Sequence, residues 1–168
     1  MVREAQQEEW LEVADVTKAS YEQYADSADP EFWTMYEAGT RQTLLEDKDI
    51  VRIVAVEGGE IVASVVYLGP YEKQMGNQSL KNPYPEMRLL SVLPQFRHRG
   101  LGDKLIAACE KRAKEEGYSA ITLHTTKLMT EAKAMYERRG YSRFEEIDFE
   151  PVPGFVVWGY IKEFQNGA

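Results

Sequence analysis

Six residues, Arg97-His98-Arg99-Gly100-Leu101-Gly102, constrain this chain more than any others. An apolar, strand-like run from Met87 to Leu93 leads into them, and a helix-like run from Asp103 to Glu116 leads out. Glycines let the backbone turn tightly and let a ligand approach its amides without side-chain obstruction. The first amides of the following helix have no partner inside it and carry the positive end of its dipole. A phosphate or pyrophosphate fits that arrangement. Arg97 and Arg99 add counter-charge, and a guanidinium fork suits phosphate oxygens better than an ammonium does.

Spacing then separates the phosphate-binding architectures. A P-loop requires G-x-x-x-x-G-K-[ST]; Lys104 is near Gly102, but no glycine stands at the required distance and no Ser or Thr follows. A dinucleotide fingerprint needs a third glycine, where this chain has Asp103-Lys104-Leu105, and an acid at the end of the next strand, where it has His124.

What remains is R-x-x-G-x-G between a strand and a helix, and here the chain resembles the GNAT superfamily of acyl-CoA-dependent N-acetyltransferases. The family's central block is matched by Glu86-Met87-Arg88-Leu89-Leu90-Ser91-Val92-Leu93-Pro94-Gln95-Phe96 running into the glycine turn. A second block, A-x-x-x-Y-E-[KR]-x-G-[FY], is matched by Ala132 to Tyr141, with Tyr136 as its tyrosine. The resemblance covers about residues 50 to 142; the N-terminal helices match only in type.

The resemblance implies an α+β fold: a mixed, mostly antiparallel central sheet of about six to seven strands with flanking helices, in the order α-α-β-β-β-α-β-α-β-β. It implies one domain over residues 1–168, with residues 1–48 walling the acceptor site and 84–142 forming the acetyl-CoA core. The implied reaction is attack of a primary amine on the thioester of acetyl-CoA, a co-substrate, in a ternary complex. The family's bulged central strand would offer the Leu90 N–H to the thioester oxygen and the main chain of Val92 and Leu93 to the pantetheine arm. Arg97, His98, Arg99, Gly100, Leu101, Gly102 and Asp103 would hold the pyrophosphate, His98 through its backbone. Tyr136 would protonate the departing thiolate, or else is an ordinary core aromatic of its helix. Glu86 stands where some members carry the general base, a role that needs a pocket that raises its pKa; the alternative is a glutamate paired with a base such as Arg88. Met129 replaces an asparagine that contacts the cofactor in many members, and Thr125, Thr126 or Thr130 could substitute.

Composition agrees with an enzyme of this kind. The 20 basic and 28 acidic residues give a formal charge of −8. Residues 1–60 hold 5 of the basic and 15 of the acidic ones, leaving 15 and 13 for the rest. Backbone recognition of nucleic acid needs a basic face, so nucleic-acid binding is not expected. The acidic N-terminal part is either a solvated helix surface or a lure for a cationic amine. One cysteine, Cys109, allows no internal disulfide, and with two histidines a metal cluster has no support. No apolar run resembles a secretory signal or a membrane span, so a cytoplasmic protein is expected.

Local signals predict a helix from Glu4 to Tyr24 and a second from Pro30 to about Glu46, capped by Asp29. Ile50–Val56 and Ile61–Leu68 read as a hairpin turning at Gly58-Gly59. Gly69–Pro85 reads as a long loop, and Ala120–His124, Tyr141–Phe149 and Phe155–Phe164 as strands. Thr130–Arg139 reads as a helix ended by Gly140, and His124 as structural rather than catalytic. The acceptor stays open: small amine, amino acid, antibiotic, or a protein lysine or N-terminus. So does an acyl-CoA-binding module with little turnover. Exposed edges at the C-terminal hairpin leave a homodimer open as well.

Overall fold

The punctuation residues act where the sequence places them. In the computed structural model, which describes residues 1–75 and 78–165, the Asp29 carboxylate accepts from the Glu31 and Phe32 amides while Pro30 fills the first helical position. Gly58 and Gly59, at φ 58° and 80°, make the tight turn of the predicted hairpin. Gly117 and Gly140, at φ 89° and 95°, end their helices in the left-handed region.

Among the described residues ten strands and four α-helices follow in the order β1 (Val2–Glu4), α1 (Trp10–Tyr21), α2 (Pro30–Glu46), β2 (Val51–Glu57), β3 (Glu60–Leu68), β4 (Tyr71–Met75), β5 (Gln78–Asn82), β6 (Glu86–Val92), α3 (Leu101–Glu115), β7 (Ala120–Thr125), α4 (Thr130–Arg138), β8 (Ser142–Arg143), β9 (Phe149–Val152) and β10 (Phe155–Glu163). The result is the expected mixed fold with a mostly antiparallel sheet. It divides into two compact units, residues 1–67 with 89–109 and residues 68–88 with 110–168, so β6 and α3 each contribute to both.

In the first unit the strand order is β1-β2-β3-β6. Val13, Val16, Leu44, Val54, Val62 and Leu105 pack its core. Arg52 is buried among them. Its guanidinium donates to the carbonyls of Leu44 at 2.9 Å, Thr43 at 3.2 Å, Asp47 at 2.7 Å and Ile50 at 3.3 Å, and lies 3.6 Å from the Trp10 ring centroid. One side chain thereby closes the C-terminal end of α2, where the last carbonyls lack partners within the helix.

In the second unit the order is β6-β7-β10-β8, with β9 on the free end of β10. β6 runs parallel to β7, pairing Glu86 with Thr122 and Met87 with Leu123. Gly159 in β10 permits a close approach: a Cβ there would lie 2.2 Å from the Ile147 side chain and 2.4 Å from the Phe144 carbonyl oxygen.

Three predicted elements differ. The chain start is not helical throughout: Val2–Glu4 pairs with Ile53–Ala55, and the first long helix begins only at Trp10. Gly69–Pro85 is not a loop: β4 and β5 pair from Tyr71↔Asn82 to Met75↔Gln78. Those strands are mostly polar, and in β5 alternate residues, Leu80 and Asn82, are buried, so no apolar run announces them. The predicted strand Tyr141–Phe149 is broken at Glu145–Ile147 by a turn of 3-10 helix, which puts Ile147 in the core beside Gly159.

Candidate functional site

The site is built outward from β6. Leu89, in mid-strand, has φ 55°, a left-handed conformation that a leucine adopts at a cost. The Ser91 hydroxyl donates to its carbonyl at 2.9 Å. This is the irregularity expected of the central strand, and Leu90 and Val92 follow it directly. The Leu93 amide is already committed, donating to the Val62 carbonyl at 3.0 Å.

Beyond β6 the chain turns through Pro94–Phe96 into the glycine segment, where His98 and Gly100 are both left-handed, at φ 63° and 79°. Nothing lies within 4 Å of a Cβ built on Gly100, so glycine is needed there for its conformation while the space beside it stays open. The Lys104 amide donates to the Gly100 carbonyl at 3.1 Å; the amides of Leu101 and Gly102 precede it at the helix start. The two arginines part company. Arg97, read from the sequence as counter-charge, donates to the Val92 carbonyl at 3.2 Å, the Gln23 side chain at 2.9 Å and the Ser20 carbonyl at 2.9 Å, so its guanidinium ties the turn to α1 and the segment after it. Arg99 is 55% exposed, 3.5 Å from Glu57, with its guanidinium 5.0 Å from the Phe96 ring.

The first unit also holds a cavity of about 260 Å³ between α1 and α2, lined by Thr17, Lys18, Tyr21, Trp33, Tyr36 and Glu37 among others. Tyr21 stacks on Tyr36 with centroids 6.5 Å apart, and Trp33 meets Tyr36 at 5.6 Å. Of the aromatics in this part of the chain Tyr21, Trp33 and Tyr36 line the hollow, whereas Trp10 covers Arg52.

In the second unit Glu86 is fully buried at the start of β6 and surrounded by donors. Its Oε1 accepts from the Tyr71 hydroxyl at 2.7 Å and Asn82 Nδ2 at 3.3 Å and faces His124 Nδ1 at 3.1 Å; its Oε2 pairs with Arg88 Nε. Burial alone would push this carboxyl up. The Arg88 charge, with the hydrogen bond and charge of His124 and the hydrogen bond from Tyr71, outweighs that and holds it at about 2. The pocket therefore acts against the rise that a general base near neutral pH requires. Burial and the neighbouring Glu86 charge push the Tyr71 phenol up, keeping it protonated as the donor. Sequence reading anticipated Glu86 and its pairing with Arg88, but not Tyr71 and Asn82, which lie in the region read as loop.

Tyr136 lies on α4, 7% exposed, with its ring edge-on to Tyr141 at 5.9 Å and its carbonyl accepting from the Tyr141 amide at 3.0 Å. Met129 is the cap residue of α4 and offers no side-chain cap. Of the three threonines around it, Thr126 accepts from the Leu128 amide at 3.2 Å, whereas the buried Thr125 hydroxyl has no partner among the described residues. Among the described residues no group of three or more His, Cys, Asp or Glu is placed to hold a metal ion, and no helix is long and apolar enough to cross a membrane.

A strand with a left-handed residue at its middle, feeding a left-handed glycine turn at a helix start, is the local geometry that the resemblance implied. The chain belongs to the Acetyltransferase (GNAT) family, whose sequence profile matches residues 6–141. It is 29% identical over 97 residues to the uncharacterized N-acetyltransferase YhfO of Bacillus subtilis (strain 168), a match covering 58% of this chain and 62% of that protein. It is 38% identical over 64 residues to the uncharacterized N-acetyltransferase YjgM of Escherichia coli (strain K12), covering 38% and 36%. These matches span less than two thirds of either relative. Among solved structures, the PaiA N-acetyltransferase of Thermoplasma acidophilum in complex with coenzyme A superposes with a TM-score of 0.71 at 17% identity, covering 98% of each chain. At such identity the likeness is one of fold.

Proposed function

We propose that this protein transfers an acetyl group from acetyl-CoA to the amine of a small acceptor by direct attack in a ternary complex. The observation that carries the reading is the continuous segment from the left-handed Leu89 through the left-handed His98 and Gly100 into α3. A strand distorted at that point frees main-chain groups, and a turn of that kind aims amides at an anion. In this reading the Leu90 N–H receives the thioester oxygen as a single oxyanion donor. Val92 and Leu93 offer main-chain groups to the pantetheine arm, Leu93 through the second lone pair of a carbonyl that already accepts from the Phe96 amide at 2.8 Å. The amides of His98 to Asp103 take the pyrophosphate, Arg99 supplies the mobile counter-charge and Arg97 holds the turn in shape. The unpartnered Thr125 hydroxyl takes the cofactor contact that Met129 cannot make. Holding amine and thioester together accounts for much of the acceleration, up to roughly 7–11 kcal/mol in favourable cases.

Tyr136 is the acid that protonates the leaving thiolate. Glu86 acts as the fixed anion of its cluster; for it to accept the amine proton, Arg88 or His124 would first have to leave it. The reading is tested by thiol release from acetyl-CoA against a broad amine panel. Tyr136→Phe is expected to lower kcat about 100-fold and leave acetyl-CoA affinity, measured by calorimetry, nearly unchanged. Equal losses in both would remove the acid role, and absence of acetyl-CoA binding by the native protein would remove the transferase.

A further inference from the structure

Two of the three tryptophans carry a cation of the protein on their rings. Arg52 lies 3.6 Å from the Trp10 ring centroid, and Lys133 and Arg143 lie 5.6 Å and 5.8 Å from that of Trp158. Trp33 carries none among the described residues, and it lines the cavity between α1 and α2. Tyr21 and Tyr36 line the same hollow with their rings 7° from parallel, and Trp33 adds a third face tilted 33° to Tyr36. Glu37, half-buried, stands in the same lining and makes no ion pair or hydrogen bond among the described residues. Both helices belong to the first unit, so the hollow is complete within it.

Aromatic faces attract a cation through their quadrupole, and a carboxylate beside them adds charge of the same effect. The surroundings share that sign. Residues 1–60 hold 15 acidic and 5 basic side chains, and of the basic ones Arg3 pairs with Glu9, Arg41 with Asp15, and Arg52 is bonded to carbonyls. The exposed Lys18 is the one unpaired cation in the lining among the described residues, a charge that opposes a cationic ligand and can be removed. At about 260 Å³ the cavity lies just below the roughly 300–1,000 Å³ of pockets for drug-sized ligands, which suits a small organic ion.

We propose that this hollow is a receptor for an alkylammonium ion that stays charged, and so for an ammonium other than the one acetylated. An amine must shed its proton before it attacks a thioester, whereas rings and a carboxylate favour the protonated form. The ion is a second ammonium on the acceptor or a separate cationic effector. Its binding is independent of the transferase reading above; the choice between its two sources rests on that reading.

Choline, a quaternary ammonium whose nitrogen cannot be acetylated, and its neutral isostere 3,3-dimethylbutan-1-ol test it by NMR titration of the native protein. Choline is expected to bind about tenfold more tightly. Trp33→Leu brings the two to near equality. Glu37→Gln weakens choline several-fold and Lys18→Gln tightens it, with the alcohol unmoved and urea midpoints near the native one. A general loosening of the helices does not move choline in opposite directions. Equal binding of choline and the alcohol, or choline affinity indifferent to both Glu37→Gln and Lys18→Gln, would overturn the proposal. Thiol release then assigns the source. A KM lower for cadaverine than for pentylamine, with the difference lost in Glu37→Gln, makes the ion part of the acceptor; a change in kcat by choline with both amines makes it a separate effector. Choline binding of the expected pattern without thiol release from any amine would sustain the hollow and remove the transferase. Thiol release without choline binding would do the reverse.

Discussion

Arg52 in the first unit and Glu86 in the second are both buried and ionised, at 2% and 0% exposed, and they are satisfied in opposite ways. Arg52 donates to four backbone carbonyls, all neutral, most of them at the end of α2. Its environment is complete without any other molecule. Glu86 is met by Tyr71, Asn82, Arg88 and His124, the Arg88 guanidinium a cation, on four different elements or their ends. The first is a helix closure. The second is a carboxylate held by side chains from separate elements, so it responds to protons where Arg52 does not.

The contrast can be broken most severely at Glu86. Glu86→Gln keeps the shape and removes the charge, leaving the half-buried Arg88 without its anion; a loss of about 3–5 kcal/mol is expected from urea unfolding. A loss no larger than that of an ordinary surface substitution would mean that the cluster is not a single ionic unit. Acid titration sharpens the same point. The Glu86 carboxyl sits at about 2 in the fold against an ordinary 4.5, so the unfolded chain binds its proton more readily. Its contribution, on the order of 3 kcal/mol, is fully present above about pH 4.5 and fades as the pH falls through about 2. The stability gap between the native protein and Glu86→Gln should shrink over that interval, and a constant gap would contradict the low carboxyl. The smallest effect belongs to the other side of the comparison. Arg52→Met is expected to cost about 2 kcal/mol through carbonyls left without donors, with KM for acetyl-CoA and acceptor unchanged. A change in KM would place Arg52 in the site and end the distinction.

Much of this fold is legible because its signals are local. Asp29-Pro30, Gly58-Gly59, Gly117 and Gly140 each dictate a backbone conformation within a few residues, and the structure has each of them where the spacing predicts. The Glu86 cluster is different in kind. Glu86 and Arg88 are two apart in one strand and can be paired from the sequence, but Tyr71 and Asn82 reach Glu86 from a hairpin whose strands are too polar to look like strands. His124 arrives from β7, and only the parallel pairing of Glu86 with Thr122 brings it there. Such contacts depend on register, which no local pattern carries. Arg97 shows the same limit in reverse: its place in the motif is obvious, yet where its guanidinium goes is decided by Ser20 and Gln23, more than seventy residues away.

Leu89 has a consequence for the whole of β6. In a regular strand the faces alternate, so the parity of a residue's number fixes the side on which it lies. A single residue in the left-handed region resets that count, and the boundary between the two compact units falls between Arg88 and Leu89. The alternation of residues 86–88 therefore need not carry on into residues 89–92. Residues 86–88 are free to answer to the packing of one unit and residues 89–92 to that of the other, so substitutions on either side of Leu89 can accumulate without a shared alternation to preserve.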